Sequence, residues 1–76
     1  MRELVEFLVR ALVEDPDAVE VEEFEDGDDL VLEVTVASED LGRVIGRGGR
    51  IANAIRTVAR AAGSRDDRRV IVDILD

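Results

Sequence analysis

Two stretches with helical apolar spacing, one on each side of Gly46-Arg47-Gly48-Gly49, cannot belong to one helix because the tetrad between them has three glycines. Glycine loses the most conformational freedom in a helix and alone accepts left-handed backbone at no steric cost. The pattern therefore divides into a short helix from about Glu39 to Ile45 and a longer one from about Gly49 to Ala62, closed by Gly63. Ser38 with Glu39 and Asp40 marks the first start, a hydroxyl for the N-cap and two acids for the first turn. The first amides of the second helix lack intrahelical partners and carry partial positive charge. Arg47 and Arg50 flank them, which makes the turn a candidate anion cradle. An ordinary helix cap followed by a restart has the same glycines, so the charge distribution has to separate the two readings.

The 76 residues carry 19 acids and ten arginines, a net charge of −9. That total argues for a self-repelling domain in solution and against a nucleic-acid partner. Its distribution argues otherwise. Fifteen of the acids lie in residues 1–40 beside only Arg2 and Arg10, whereas from Leu41 to Arg65 there are six arginines and no acid. Lysine is absent, so every side-chain cation is a planar fork suited to bidentate phosphate or carboxylate contacts. A solvated helix face is the bland alternative for such a run.

Elsewhere the period alternates between helix and strand. Leu4, Leu8, Ala11 and Leu12, with Val5 and Phe7 beside them, give an amphipathic helix over residues 2–14 that Asp15-Pro16 stops, with Phe7 facing the core. Val19 and Val21 alternate with Glu20 and Glu22, and a turn-forming Glu25-Asp26-Gly27-Asp28-Asp29 leads into Leu30, Leu32, Val34 and Val36, the pattern of an antiparallel hairpin. The alternation fails at Glu22-Glu23-Phe24, which predicts a bulge or a loose strand end. Ser64 to Arg68 reads as a polar loop, and Val70, Val72 and Ile74 as a last strand. On the second glycine-flanked helix, Asn53, Arg56, Thr57 and Arg60 form a polar stripe, while Ile51, Ala52, Ile55, Val58 and the alanines occupy more than half of the circumference. One sheet cannot cover so wide an arc, and the surplus points to a groove or a partner, although alanine is also simply a good helix former.

The expectation is an α+β fold in the order α-β-β-α-α-β, three helices on one face of a three-stranded mixed sheet, as a single domain over residues 1–76. Cysteine and histidine are absent, so packing alone must hold so small a core. No apolar run approaches the ~20 residues of a membrane span, so no membrane partner is expected and the cytoplasm is the expected location.

Enzyme chemistry finds no support. There is no His, Cys, Lys or Tyr, and the few hydroxyls have capping, loop, strand or helix-surface explanations. Asp26-Gly27-Asp28-Asp29 lacks the spacing of a calcium loop, and the glycine turn follows a helix instead of the strand a dinucleotide site needs. No cofactor and no metal are expected.

Val44-Ile45-Gly46-Arg47-Gly48-Gly49-Arg50, set between two helices in this order of elements, resembles the GXXG loop of a type II KH domain, a module for single-stranded nucleic acid. Val5-Glu6-Phe7-Leu8-Val9, Asp15-Pro16-Asp17, the Asp40 to Gly46 approach and Ala54-Ile55-Arg56-Thr57 extend the likeness along essentially the whole chain to the stand-alone bacterial KH proteins of the KhpA family. The resemblance implies a single-stranded RNA-binding protein acting in RNA metabolism or post-transcriptional regulation as an RNA chaperone. It makes Gly46 and Gly49 the two loop glycines, Arg47 and Gly48 the middle positions with Arg47 on phosphate, and Ile45, Ala52 and Ile55 an apolar floor beneath the bases. Arg43 and Arg50 complete the expected RNA contacts. Gly48 stands where family members often carry a second basic residue, and Ala52 where they carry a larger aliphatic, so both departures imply weak binding. Recognition is expected from an apolar groove and edge hydrogen bonds, since neither Phe7 nor Phe24 is well placed for stacking. The resemblance also implies a homodimer, or a heterodimer with a larger KH-containing RNA-binding protein, using the surplus apolar surface around Val58. A partner subunit on a KH scaffold with little RNA affinity of its own is the alternative reading.

Overall fold

The sequence alternation becomes a sheet in the computed structural model, which describes residues 1–75. Strands β1 (Glu20–Asp26) and β2 (Asp29–Thr35) form an antiparallel hairpin. Strand β3 (Arg69–Ile74) lies parallel to β2, giving a mixed sheet in the order β1-β2-β3. Helices α1 (Arg2–Arg10), α2 (Leu41–Ile45) and α3 (Arg50–Arg65) pack on one face of it. The last two form the crossover that a parallel neighbour requires. This is the α+β arrangement of a type II KH fold.

Val21, Leu30, Leu32, Val34, Val70 and Val72 meet Val5, Val9, Val44, Ile55 and Ala59 in a wholly aliphatic core, with Leu32 the largest fully buried side chain. Each of the valine, leucine and isoleucine side chains contributes about 1.5–3 kcal/mol by leaving water. Among the described residues no helix covers the other face of the sheet, and Glu20, Glu22, Glu33, Thr35 and Asp73 stand there as the alternation requires.

Several boundaries differ from the sequence reading, each for a physical reason. Helix α1 stops at Arg10 instead of residue 14, because the amides of Glu14 and Asp15 donate to the buried Asp40 carboxylate and not to helix carbonyls. Phe7 is 70% exposed; Val5 and Val9 take the core face, and Leu4, Leu8 and Leu12 are only half-buried. Strand β1 has no bulge and pairs without a gap from Glu20↔Thr35 to Asp26↔Asp29. Glu23 and Glu25 share the parity of buried Val21 but lie exposed at the far end of the strand, so burial ends there and pairing does not.

Ser38–Asp40 is a 3₁₀ turn ahead of α2, and the Ser38 hydroxyl caps nothing. Helix α3 runs through Gly63 to Arg65. Gly63 serves close approach and not termination, since a Cβ there would stand 2.4 Å from Val70 Cγ2 and 2.8 Å from the Arg68 carbonyl. The reversal into β3 falls instead at Asp67, in the left-handed region at φ 61°.

Candidate nucleic-acid interface

Helix α2 ends where Gly46 adopts φ 75°, ψ 170°, a conformation that redirects the chain and that side chains rarely take. Space forbids a side chain as well, because a Cβ on Gly46 would lie 2.7 Å from Ile51 Cγ1 and 2.9 Å from the Ile51 amide nitrogen. Arg47–Gly49 forms a single 3₁₀ turn, with the Gly49 N–H donating to the Gly46 carbonyl at 3.1 Å. Left-handed Gly49, φ 81°, then launches α3, and no side chain caps that helix. The Arg50 N–H donates to the Arg47 carbonyl, no side chain caps the turn, and the helix dipole favours an anion there. Arg47 and Arg50 are exposed and enter no ion pair among the described residues.

The other expected RNA contacts divide. Ile45 is 37% exposed and stands beside the loop. Ala52 and Ile55, expected as an apolar floor beneath the bases, are each only 4% exposed; Ile55 packs into the aliphatic core. Arg43 is not a free cation. Its guanidinium donates to Asp40 Oδ1 at 3.1 Å and pairs with Glu14.

Asp40 itself was legible only as a helix-start acid, yet it is 2% exposed. Its carboxylate accepts the Glu14 and Asp15 amides, each at 3.1 Å, and so ties the segment that follows α1 to the approach to the glycine loop. The Glu14 amide is the main cause holding the Asp40 carboxyl below the usual carboxylate range; burial opposes it, and the Asp15 amide and the Arg43 guanidinium add to it.

A groove that sequence reasoning left to solvent continues the site. Asn53, next to Gly49 on the same face of α3, accepts from Arg56 Nη1 at 3.2 Å, and Arg56 Nε donates to the Val72 carbonyl at 3.2 Å. Beyond it, Arg56, Arg60, Arg68 and Arg69 line a groove of about 570 Å³ with residues 70–72 of β3 as its floor. Because β3 is an edge strand, this groove borders unpaired backbone, and the Val72 N–H faces the same way as its carbonyl. The stripe Asn53-Arg56-Arg60 was readable in the sequence. That its neighbour would be a sheet edge was not.

The surplus apolar arc of α3 is real. Leu8, Ala11 and Leu12 of the α1 region and Ile51, Ala54, Ile55 and Val58 of α3 line a second groove of about 350 Å³, with Arg50 at its margin. Val58 is 43% exposed and is not a core residue. Among the described residues no helix is long and apolar enough to cross a membrane.

This arrangement has close relatives. Residues 2–74 match the family model described as KhpA/KhpB, KH domain. The RNA-binding protein KhpA of Caldanaerobacter subterraneus subsp. tengcongensis is 51% identical over 75 residues, covering 99% of this chain and all of the relative. The KhpA of Clostridium acetobutylicum is 47% identical with the same coverage. Among solved structures, Aquifex aeolicus Era superposes with a TM-score of 0.66 at 22% identity, over 96% of this chain and 28% of Era, a likeness of fold. Loop, topology and full-length similarity agree: the chain belongs to the KhpA/KhpB family of KH-domain proteins.

Proposed function

We propose that this protein binds single-stranded RNA without catalysis, holding the sugar-phosphate backbone at Gly46-Arg47-Gly48-Gly49 and Arg50 and passing the strand along Asn53, Arg56 and Arg60 to the β3 edge. The observation that carries this is the start of α3, which no side chain caps, beside two exposed arginines that enter no ion pair among the described residues, continuous with an arginine-lined groove. Curated relatives that match along their whole length are named RNA-binding proteins, which supports the same reading. Ile45 supplies exposed apolar surface for a base, and the open β3 edge supplies backbone groups for base edges, a mode suited to splayed single strands and not to stacked duplex.

Binding is weak. The chain brings few phosphate contacts and a net charge of −9. Its role is that of an RNA chaperone in post-transcriptional regulation in the cytoplasm, acting as a single domain. A second copy, or another KH protein, occupies the apolar groove around Val58. Fluorescence anisotropy with a labelled unstructured oligoribonucleotide tests the reading: micromolar binding is expected for the single strand, and at least tenfold weaker binding once its complement is annealed. Equal affinity for both forms would remove the single-strand assignment.

A further inference from the structure

The helix-free face of the sheet is organised in rows that cross all three strands. Register places Phe24 beside Val31 and Val31 beside Ile71, an apolar row with Phe24 exposed and the other two half-buried. The next row holds Glu22, Glu33 and Asp73, three carboxylates side by side. On the other flank stand Asp26, Asp29 and Arg69, with Arg69 held 3.9 Å from Asp29. Like charges directly opposite one another on a sheet are destabilising. The Glu22-Glu33-Asp73 row nevertheless has no ion pair among the described residues. Solubility alone does not require that arrangement, since threonine or alternating charges would serve.

We infer that this face is a docking surface for a basic amphipathic helix of a protein partner, its apolar stripe on Phe24, Val31 and Ile71 and its arginines or lysines on the flanking carboxylates. The dimensions fit. Three strands span roughly 10 Å across, and neighbouring rows lie about 6.7 Å apart. Positions i and i+7 of a helix are about 10.5 Å apart, and its flanking side chains reach about 5 Å from its axis. Nucleic acid is repelled by the same carboxylates. A second copy meeting this face by two-fold symmetry would oppose acid to acid, and among the described residues no cluster of carboxylates is placed to hold a metal ion. The surface lies across the sheet from α3, so a protein partner and an RNA strand can be held together.

The test is an NMR titration of the full chain with a 14-residue amidated peptide bearing leucines at i, i+3, i+7 and i+10 flanked by arginines, beside a scrambled peptide of identical composition. Saturable shifts confined to Phe24, Val31, Glu33, Ile71 and Asp73 are expected. Affinity should fall at least tenfold in Glu22→Gln/Glu33→Gln/Asp73→Asn, and at least threefold in Val31→Thr, with melting and RNA affinity checked for each. Equal binding of the scrambled peptide, shifts spread over all acidic surfaces, or no loss in Val31→Thr would reduce the effect to bulk charge and overturn the proposal. Concentration-dependent shifts of this face without peptide would assign it to self-association and overturn it equally.

Discussion

Ile51 occupies the space that a side chain on Gly46 would need, with its Cγ1 2.7 Å and its amide nitrogen 2.9 Å from the Cβ position. The loop thus closes directly onto the first turn of α3. Gly46→Ala adds a positive-φ backbone penalty of about 1–3 kcal/mol to a clash that only displacement of the helix start relieves. A visibly lowered melting midpoint and at least tenfold weaker RNA binding are expected together. An alanine variant with wild-type melting and affinity would show that the junction does not set the loop.

Asp40 gives the fold an acid-sensitive tie. Its carboxyl titrates below its ordinary value of 3.8 in the folded chain, so the unfolded chain takes up the proton first. The stability it contributes is fully present above 3.8 and is lost as pH falls through the lower folded-state value. Asp40→Asn should melt at a lower temperature near neutrality and show a shallower loss of stability on acidification below about pH 4. Melting curves across pH 2–7 provide the check. Parallel profiles for the two proteins would assign the acid sensitivity to other carboxylates.

Val58 separates association from packing. At 43% exposure it tolerates a charge, so Val58→Asp should remain folded with stability changed by about 0.5 kcal/mol or less. Sedimentation at high concentration should show the wild type associating and the variant monomeric. A wild type that is monomeric throughout would leave the α1–α3 groove without a second copy as occupant.

The features legible in the sequence were those written in local chemistry. Alternation at Leu30 to Val36 and at Val70 to Ile74 determined the strands, and the glycine tetrad determined the helix break, because each acts through its own backbone. Features that depend on partners far along the chain were not legible. Asp40 is held by the amides of Glu14 and Asp15, 26 and 25 residues away, so it looked like any first-turn acid. Gly63 looked like a helix stop because its reason for being glycine is Val70, across a reversal. Arg60, Arg68 and Arg69 became one groove only when β3 proved to be an edge. Within the site, the loop was readable and its continuation was not.

Phosphate is held at the glycine loop in the proposed complex. The most direct measurement is RNA affinity of the wild type and of Arg47→Asp/Gly48→Asp against salt concentration. Gly48 has open space around it and a φ of 65°, which Asp tolerates better than most residues, so the fold should survive at a cost of about 1 kcal/mol. For the wild type, about three phosphate contacts predict a slope of log affinity on log salt near −2. The variant should bind at least tenfold more weakly, with a slope shallower by about 1, while its circular dichroism is unchanged. A folded variant with wild-type affinity and slope would rule out phosphate binding at the loop and leave Gly46-Arg47-Gly48-Gly49 as a junction between two helices.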